Sequence, residues 1–121
     1  MAEGIAAAGA NTALDAIRTD TPFIQLHTAA PGAAGTSNIA TETTRKAVTF
    51  SASSGGVMTT TAAITWTNIA GSQDATHFTI WNASSAGTFK FSGTITANAY
   101  VAGDTYNIAI GALTLTIVVA S

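Results

Sequence analysis

The chain contains no cysteine. Disulfide staples and thiolate metal sites are therefore excluded, and with them the cysteine-rich secreted scaffolds and the usual zinc patterns. Charge is scarce as well. Asp, Glu, Lys and Arg make up 8% of the chain, against roughly 25% in ordinary soluble domains. The net charge of -2 leaves no basic footprint for nucleic acid and no polybasic patch for a membrane surface. Long apolar runs are also missing. No stretch approaches the roughly 18 to 20 residues of a membrane-spanning helix, and the final TLTIVVAS is short enough to read as a strand. The start, MAEGIAAAGANTALDA, lacks the basic residues of a secretory signal and is interrupted by Gly4, Gly9 and Asn11.

What remains is a chain of 121 residues, a length that fits one domain with a core of its own. Its exterior must be wetted mainly by Thr, Ser, Asn and Gln. A surface with so little charge repels copies of itself weakly, which favours assembly into a homo-oligomer such as a trimer. A secreted or thermally tolerant monomer is the competing reading.

Residues 5–18 carry Ile5, Ala8, Leu14 and Ile17 at helical spacing, with Arg18 suited to a last turn. Gly4, Gly9 and Asn11 weaken that helix, and an extended arm is the alternative. From residue 21 the pattern changes to alternation with period two, rich in Thr, Val, Ile, Phe and Trp. Strands are expected at 23–28, 45–52, 57–61, 63–67, 76–81, 88–95, 105–110 and 113–119. In these, Val48, Phe50 and Ala52 share a face, as do Ile64 and Trp66, and as do Phe89 and Phe91. Turn clusters at Ser54-Gly55-Gly56, Ala70-Gly71-Ser72, Ser85-Ala86-Gly87 and Ala102-Gly103-Asp104 separate them. The expected fold is all-β: a single sandwich of about eight strands, jelly-roll or immunoglobulin-like. It would comprise an N-terminal helix or arm (residues 1–20) and a sandwich domain (residues 21–121). The linker 29–44 is the longest irregular stretch, of the kind that is usually functional or meets a partner.

Catalytic chemistry finds little to work with. The histidines are His27 and His77, and the carboxylates are Glu3, Asp15, Asp20, Glu42, Asp74 and Asp104. Asp74 precedes His77, but no nucleophile motif accompanies them. His27 and His77 could share a metal with a carboxylate only if neighbouring strands brought them together. The plainer expectation is that each histidine is bonded to backbone or to an adjacent strand. Asp74 and Asp104 lie in turn clusters, where Asp caps or forms Asx-turns. Trp66 and Trp81 sit mid-strand and read as core, whereas Tyr100 lies near a loop and reads as the aromatic most open to a sugar. No cofactor is implied.

The order of motifs is more informative than any single one. Residues 26–32 read LHTAAPG, 45–50 read RKAVTF and 76–81 read THFTIW. Gly103-Asp104 then marks a turn, and residues 111–114 read GALT. This succession resembles a family of small structural proteins of tailed bacteriophages, common in phages of actinobacteria and often labelled tail-fibre or minor tail proteins. The resemblance spans roughly residues 20–118 and implies a non-enzymatic protein located in the virion and assembled in the bacterial cytoplasm. A fibre gains reach through long repeats, which this chain lacks, so capsid decoration is the first expectation, with the major capsid protein as partner. A minor tail or tail-fibre protein, with tail proteins as partners, is the alternative, and a carbohydrate-binding module the third. The candidate contact residues are Ile5, Leu14 and Ile17 in the N-terminal segment, Pro31, Gly32 and Ile39 in the linker, and Arg45 and Lys46 at its end.

Overall fold

The computed structural model of the chain describes residues 3–120. One helix, α1 (Ala7–Arg18), is followed by eight strands: β1 (Phe23–His27), β2 (Lys46–Ala47), β3 (Val57–Thr59), β4 (Ile64–Trp66), β5 (Gln73–Trp81), β6 (Phe89–Tyr100), β7 (Tyr106–Ile108) and β8 (Thr114–Thr116). The four-stranded sheet has the order β2-β1-β5-β6, and two-stranded sheets pair β3 with β8 and β4 with β7. Every strand pair is antiparallel. The fold is all-β and sandwich-like.

One apolar cluster joins these layers. Ile24 and Leu26 of β1 and Phe78 and Ile80 of β5 meet Trp66, Tyr106 and Ile108 of the β4–β7 pair and Met58 and Leu115 of the β3–β8 pair. Val48 and Phe50 belong to the same cluster. Their chain was expected to be a full strand, yet only Lys46–Ala47 pairs with β1, and Ala52 is exposed. Val48 N–H still bonds to Pro22 O, whereas Phe50 makes a bridge with Thr60. This segment leaves one sheet and joins another, so its alternation survives while its ladder does not.

A bulge alters the reading of β6. Ile80 lies opposite Phe91, and Trp81 lies opposite Phe89, so Lys90 is the extra residue. Phe89 and Phe91 therefore point to opposite faces rather than sharing one. Phe91 packs against the core, while Phe89 joins Trp81 on the outer face at a centroid distance of 5.4 Å. Lys90, lifted out of register, reaches Asp20 at 3.4 Å.

The N-terminal segment forms a helix docked on the sandwich, not an extended arm. Leu14 is fully buried in the common core, and Ala10 is buried beside it. Gly9 and Asn11, two of the three residues that weaken the helix by propensity, each lie against chain outside it. A side chain at Gly9 would lie 3.0 Å from Ile5, which folds back over the first turn. Asn11 Oδ1 accepts the Gly56 N–H (2.9 Å), and Asn11 O accepts the Ser53 hydroxyl (3.1 Å). Asp15 accepts from Ser53 N–H and from Arg18 Nε, and those bonds hold its carboxyl below the ordinary range. Ile5 lies outside the helix and makes a parallel bridge to Val119.

Replacing Leu14 by Ala removes core atoms and leaves a cavity, so we expect a loss of about 2 to 5 kcal/mol in urea denaturation. A helix acting as a free arm would leave the midpoint where it was.

Candidate functional site

The strand register dictates a polar and aromatic outer face on the four-stranded sheet. Phe23, Gln25 and His27 of β1 lie opposite Trp81, Thr79 and His77 of β5. These alternate with the core residues Ile24, Leu26, Phe78 and Ile80. An antiparallel sheet commonly leaves its second face to solvent. Here Gln25, His27, Thr79 and Trp81 are all buried, because residues 29–44 fold back over the sheet as a strap.

The strap is fastened at several places. Its tip runs back beside β1: Thr28 N–H bonds to Asn38 O (2.9 Å), and Ala40 N–H to Leu26 O (3.0 Å). Gly35 has a φ of +70°, and a Cβ there would lie 2.8 Å from the Phe89 ring. Only glycine allows this backbone to lie flat on the aromatic ring. Farther along, Glu42 accepts from Ala70 N–H (3.1 Å) and Thr44 N–H (3.3 Å), Thr41 N–H donates to Gln73 Oε1 (2.7 Å), and Trp66 Nε1–H donates to Thr44 O (2.9 Å).

His27 joins strap to sheet. It is fully buried; Nδ1 lies 2.8 Å from Ser37 O, and Nε2 lies 2.9 Å from Thr79 Oγ1. A carbonyl can only accept, so Nδ1 carries the proton, and in the neutral ring Nε2 accepts from the Thr79 hydroxyl. Trp81 Nε1–H donates to the same hydroxyl at 2.8 Å. The result is a directed chain from Trp81 through Thr79 and His27 to Ser37. Burial holds the His27 pKa below 6.5 and His77 lowers it further, against the raising effect of the Ser37 and Asn38 backbone. The expected structural role of His27 is what the geometry displays. His77 lies opposite His27, and its Nδ1 shares a 2.8 Å hydrogen bond with Thr76 Oγ1.

The histidines do meet on neighbouring strands, as a shared metal would require. Both ring nitrogens of His27 already have protein partners, however. Among the described residues, no three His, Cys, Asp or Glu side chains are grouped to hold a metal ion. Asp104 accepts from Val101 N–H inside its turn, as expected of a turn aspartate.

Tyr100 departs from expectation. It is buried at 5% exposure, its ring tilted against that of Tyr106 at a centroid distance of 5.2 Å, and Tyr106 in turn lies 5.8 Å from Trp66. The side chain at the loop end turns inward, and burial, aided by the charges of Glu42 and Asp74, pushes its phenol pKa up. Trp66, Trp81, Tyr100 and Tyr106 therefore form no exposed platform for a sugar. A cleft of about 220 Å³ lies between Ile95 and Thr96 of β6 and residues 106–109 of β7 and its turn. Its titratable lining group is Tyr106, whose pKa burial raises.

The eight candidate contact residues are dispersed. Ile5, Gly32 and Ile39 are exposed, Leu14 and Pro31 are buried, and Ile17, Arg45 and Lys46 are half-buried. Arg45 has an internal role. Its guanidinium stacks 4.2 Å from the centre of the Trp81 ring and donates to Ala83 O (3.0 Å) and Ala86 O (2.7 Å). Sequence reasoning missed Thr79, Ser37 and Gly35. Period-two alternation marks Thr79 as an outward polar residue, and nothing local tells that a distant segment covers it.

Thr79→Val keeps the shape but removes the hydroxyl, leaving Trp81 Nε1–H and His27 Nε2 without partners. We expect it to cost about 2 to 4 kcal/mol in urea denaturation. Thr79→Ser should cost about 1 kcal/mol, the worth of a buried methyl group.

Comparison with known proteins bears on where such a domain is used. No curated protein matches the chain. A family described as podophage GP4 fiber I protein gp80 matches residues 6–116, a span that takes in α1 and all eight strands. With that coverage, the chain belongs to the podophage fiber I protein gp80 family and is a bacteriophage structural protein.

Proposed function

We propose that the chain is a non-catalytic component of the phage tail fibre, associated in the virion with other tail proteins. The observation that carries this reading is the family match over residues 6–116, whose description names a fibre. It favours the tail over capsid decoration, the first expectation from sequence. That expectation placed Ile5, Leu14 and Ile17 of the N-terminal segment among the residues meeting the partner. Instead, α1 packs on its own sandwich, with Leu14 in the core. The carbohydrate-binding reading relied on an exposed Tyr100 and loses its platform with that residue's burial.

The surface suits protein contacts made without strong electrostatics. Ile5, Ile39, Val101, Ile110 and Val118 are exposed apolar side chains, set among hydroxyl-bearing residues with few charges to repel further copies. Many modest contacts of this kind suffice in an assembly, where each subunit is held at several points.

Labelling the protein with a gold-tagged antibody and imaging whole virions tests the assignment. Label confined to the tail, at a copy number in the tens or fewer, is the expected result. Hundreds of copies spread over the capsid faces would restore the decoration reading.

A further inference from the structure

We propose that residues 29–39, the tip of the strap, form an acid-released latch: a proton taken up by His27 lifts the tip and uncovers the outer face of the sheet.

The proposal stands on the geometry around one side chain. His27 is the side chain of the sheet that hydrogen-bonds to the strap tip. With Nδ1–H fixed on Ser37 O, the neutral ring needs a donor at Nε2, and Thr79 supplies it. A second proton on Nε2 faces an oxygen that has been donating. Thr79 must rotate its hydrogen elsewhere while still receiving Trp81 Nε1–H. The network that matched the neutral ring no longer matches the cation.

Among the described residues, the surroundings offer the cation two backbone carbonyls but no carboxylate bonded to the ring. From β5, the groups facing His27 are His77 and Thr79. From the strap come the carbonyls of Ser37 and Asn38. From β6, the residue in register beyond His77 is Thr94. Arg45, stacked on Trp81 of the same face, adds a second positive charge rather than a counter-charge. The strap's carboxylate, Glu42, is committed to the backbone of Ala70 and Thr44. Burying an ion without a counter-charge is costly, and hydration is the cheapest remedy.

The tip is the part able to yield. The distal half of the strap is anchored by Ala40, Glu42 and the Trp66–Thr44 bond. The tip closes on itself instead, through Ser37 N–H to Pro31 O, Gly35 N–H to Gly32 O and Asn38 Nδ2 to Ala30 O. Its ties to the sheet are Ser37 O on His27, the short pairing beside β1, and Gly35 resting on Phe89. It can therefore lift as a unit without unravelling.

The direction follows from linkage. In the lifted state His27 is hydrated and binds its proton near 6.5; in the latched state the proton is bound only at lower pH. Latching is thus at full strength above about pH 6.5 and weakens as pH falls toward the latched value, by up to about tenfold per pH unit.

Hydrogen exchange followed by mass spectrometry on the whole protein tests this at about pH 7.5 and about pH 5, after correction for intrinsic exchange. The amides that tie the strap to β1, Thr28 N–H on Asn38 O and Ala40 N–H on Leu26 O, should exchange at least about tenfold faster at the lower pH, while those of β3 and β8 keep their protection. In His27→Gln the pH response of the tip should vanish. Loss of protection in tip and core together, or a response that persists in His27→Gln, would overturn the latch. A nuclear magnetic resonance titration of the unmutated protein needs no variant. The His27 ring and the Gly35 and Ser37 amides should share one midpoint below 6.5. A midpoint at or above that value, or tip amides that do not follow the ring, would equally overturn it.

Discussion

Two strands, β1 and β5, are buried on both faces, and the rest of the fold answers that constraint. Their inner residues Ile24, Leu26, Phe78 and Ile80 recruit the two small sheets and the helix into one core. Their outer residues Gln25, His27, Thr79 and Trp81 are mostly polar, so covering them requires a partner for each donor and acceptor. The strap meets part of that demand with backbone carbonyls, Thr43 O for Gln25 and Ser37 O for His27, while Trp81, Thr79 and His27 satisfy one another. One acceptor, Gln25 Oε1, is left unpaired beneath it. Such a double-sided arrangement gives rigidity to a small domain without metals or disulfides, because both the apolar and the polar layer must be disrupted to separate the strands.

The sequence was legible wherever structure follows from local pattern. Alternation located all eight strands, and the glycine clusters mark turns in which Gly55, Gly56, Gly71, Gly87 and Gly103 take positive φ. It was less legible where a residue's role is fixed by a distant segment. Asn11 counts against a helix until its bond to Gly56 is seen. Arg45 reads as a cation at a strand entrance, yet it clamps the turn at 83–86 and stacks on Trp81. Tyr100 reads as a loop aromatic because the sequence does not show that β6 runs as far as that residue and turns its side chain inward. The bulge at Lys90 was invisible for a related reason. Alternation assumes one residue opposite one residue, and an inserted residue reverses every face assignment beyond it.

The candidate contact residues divide in the same way. Leu14 and Pro31 were chosen for being apolar in segments expected to meet a partner, and both are buried within the chain. Apolar character alone does not distinguish a core residue from an interface residue, since the same physical preference selects both. The long linker illustrates the point. Its length suggested a functional or partner-contacting loop, whereas much of it meets the chain's own sheet. Ile39, exposed on that strap, and Ile5, bridged to Val119, remain at the surface.

The bulge has a further consequence. β6 forms one edge of the four-stranded sheet and is the longest strand in the fold, at 12 residues. A long open edge invites sheet growth by neighbouring chains, and a protein with so few charges has little repulsion to prevent it. Register shifts between Ile80 and Trp81 and between Ala75 and His77 leave Phe91 to Thr94 as the uninterrupted run between them. An incoming strand would find about one repeat of regular pairing before the edge turned away, with a lysine standing at one end. The same irregularity that sends Phe89 to the outer face thus shortens the regular edge on which another strand could pair, by shape where charge is lacking.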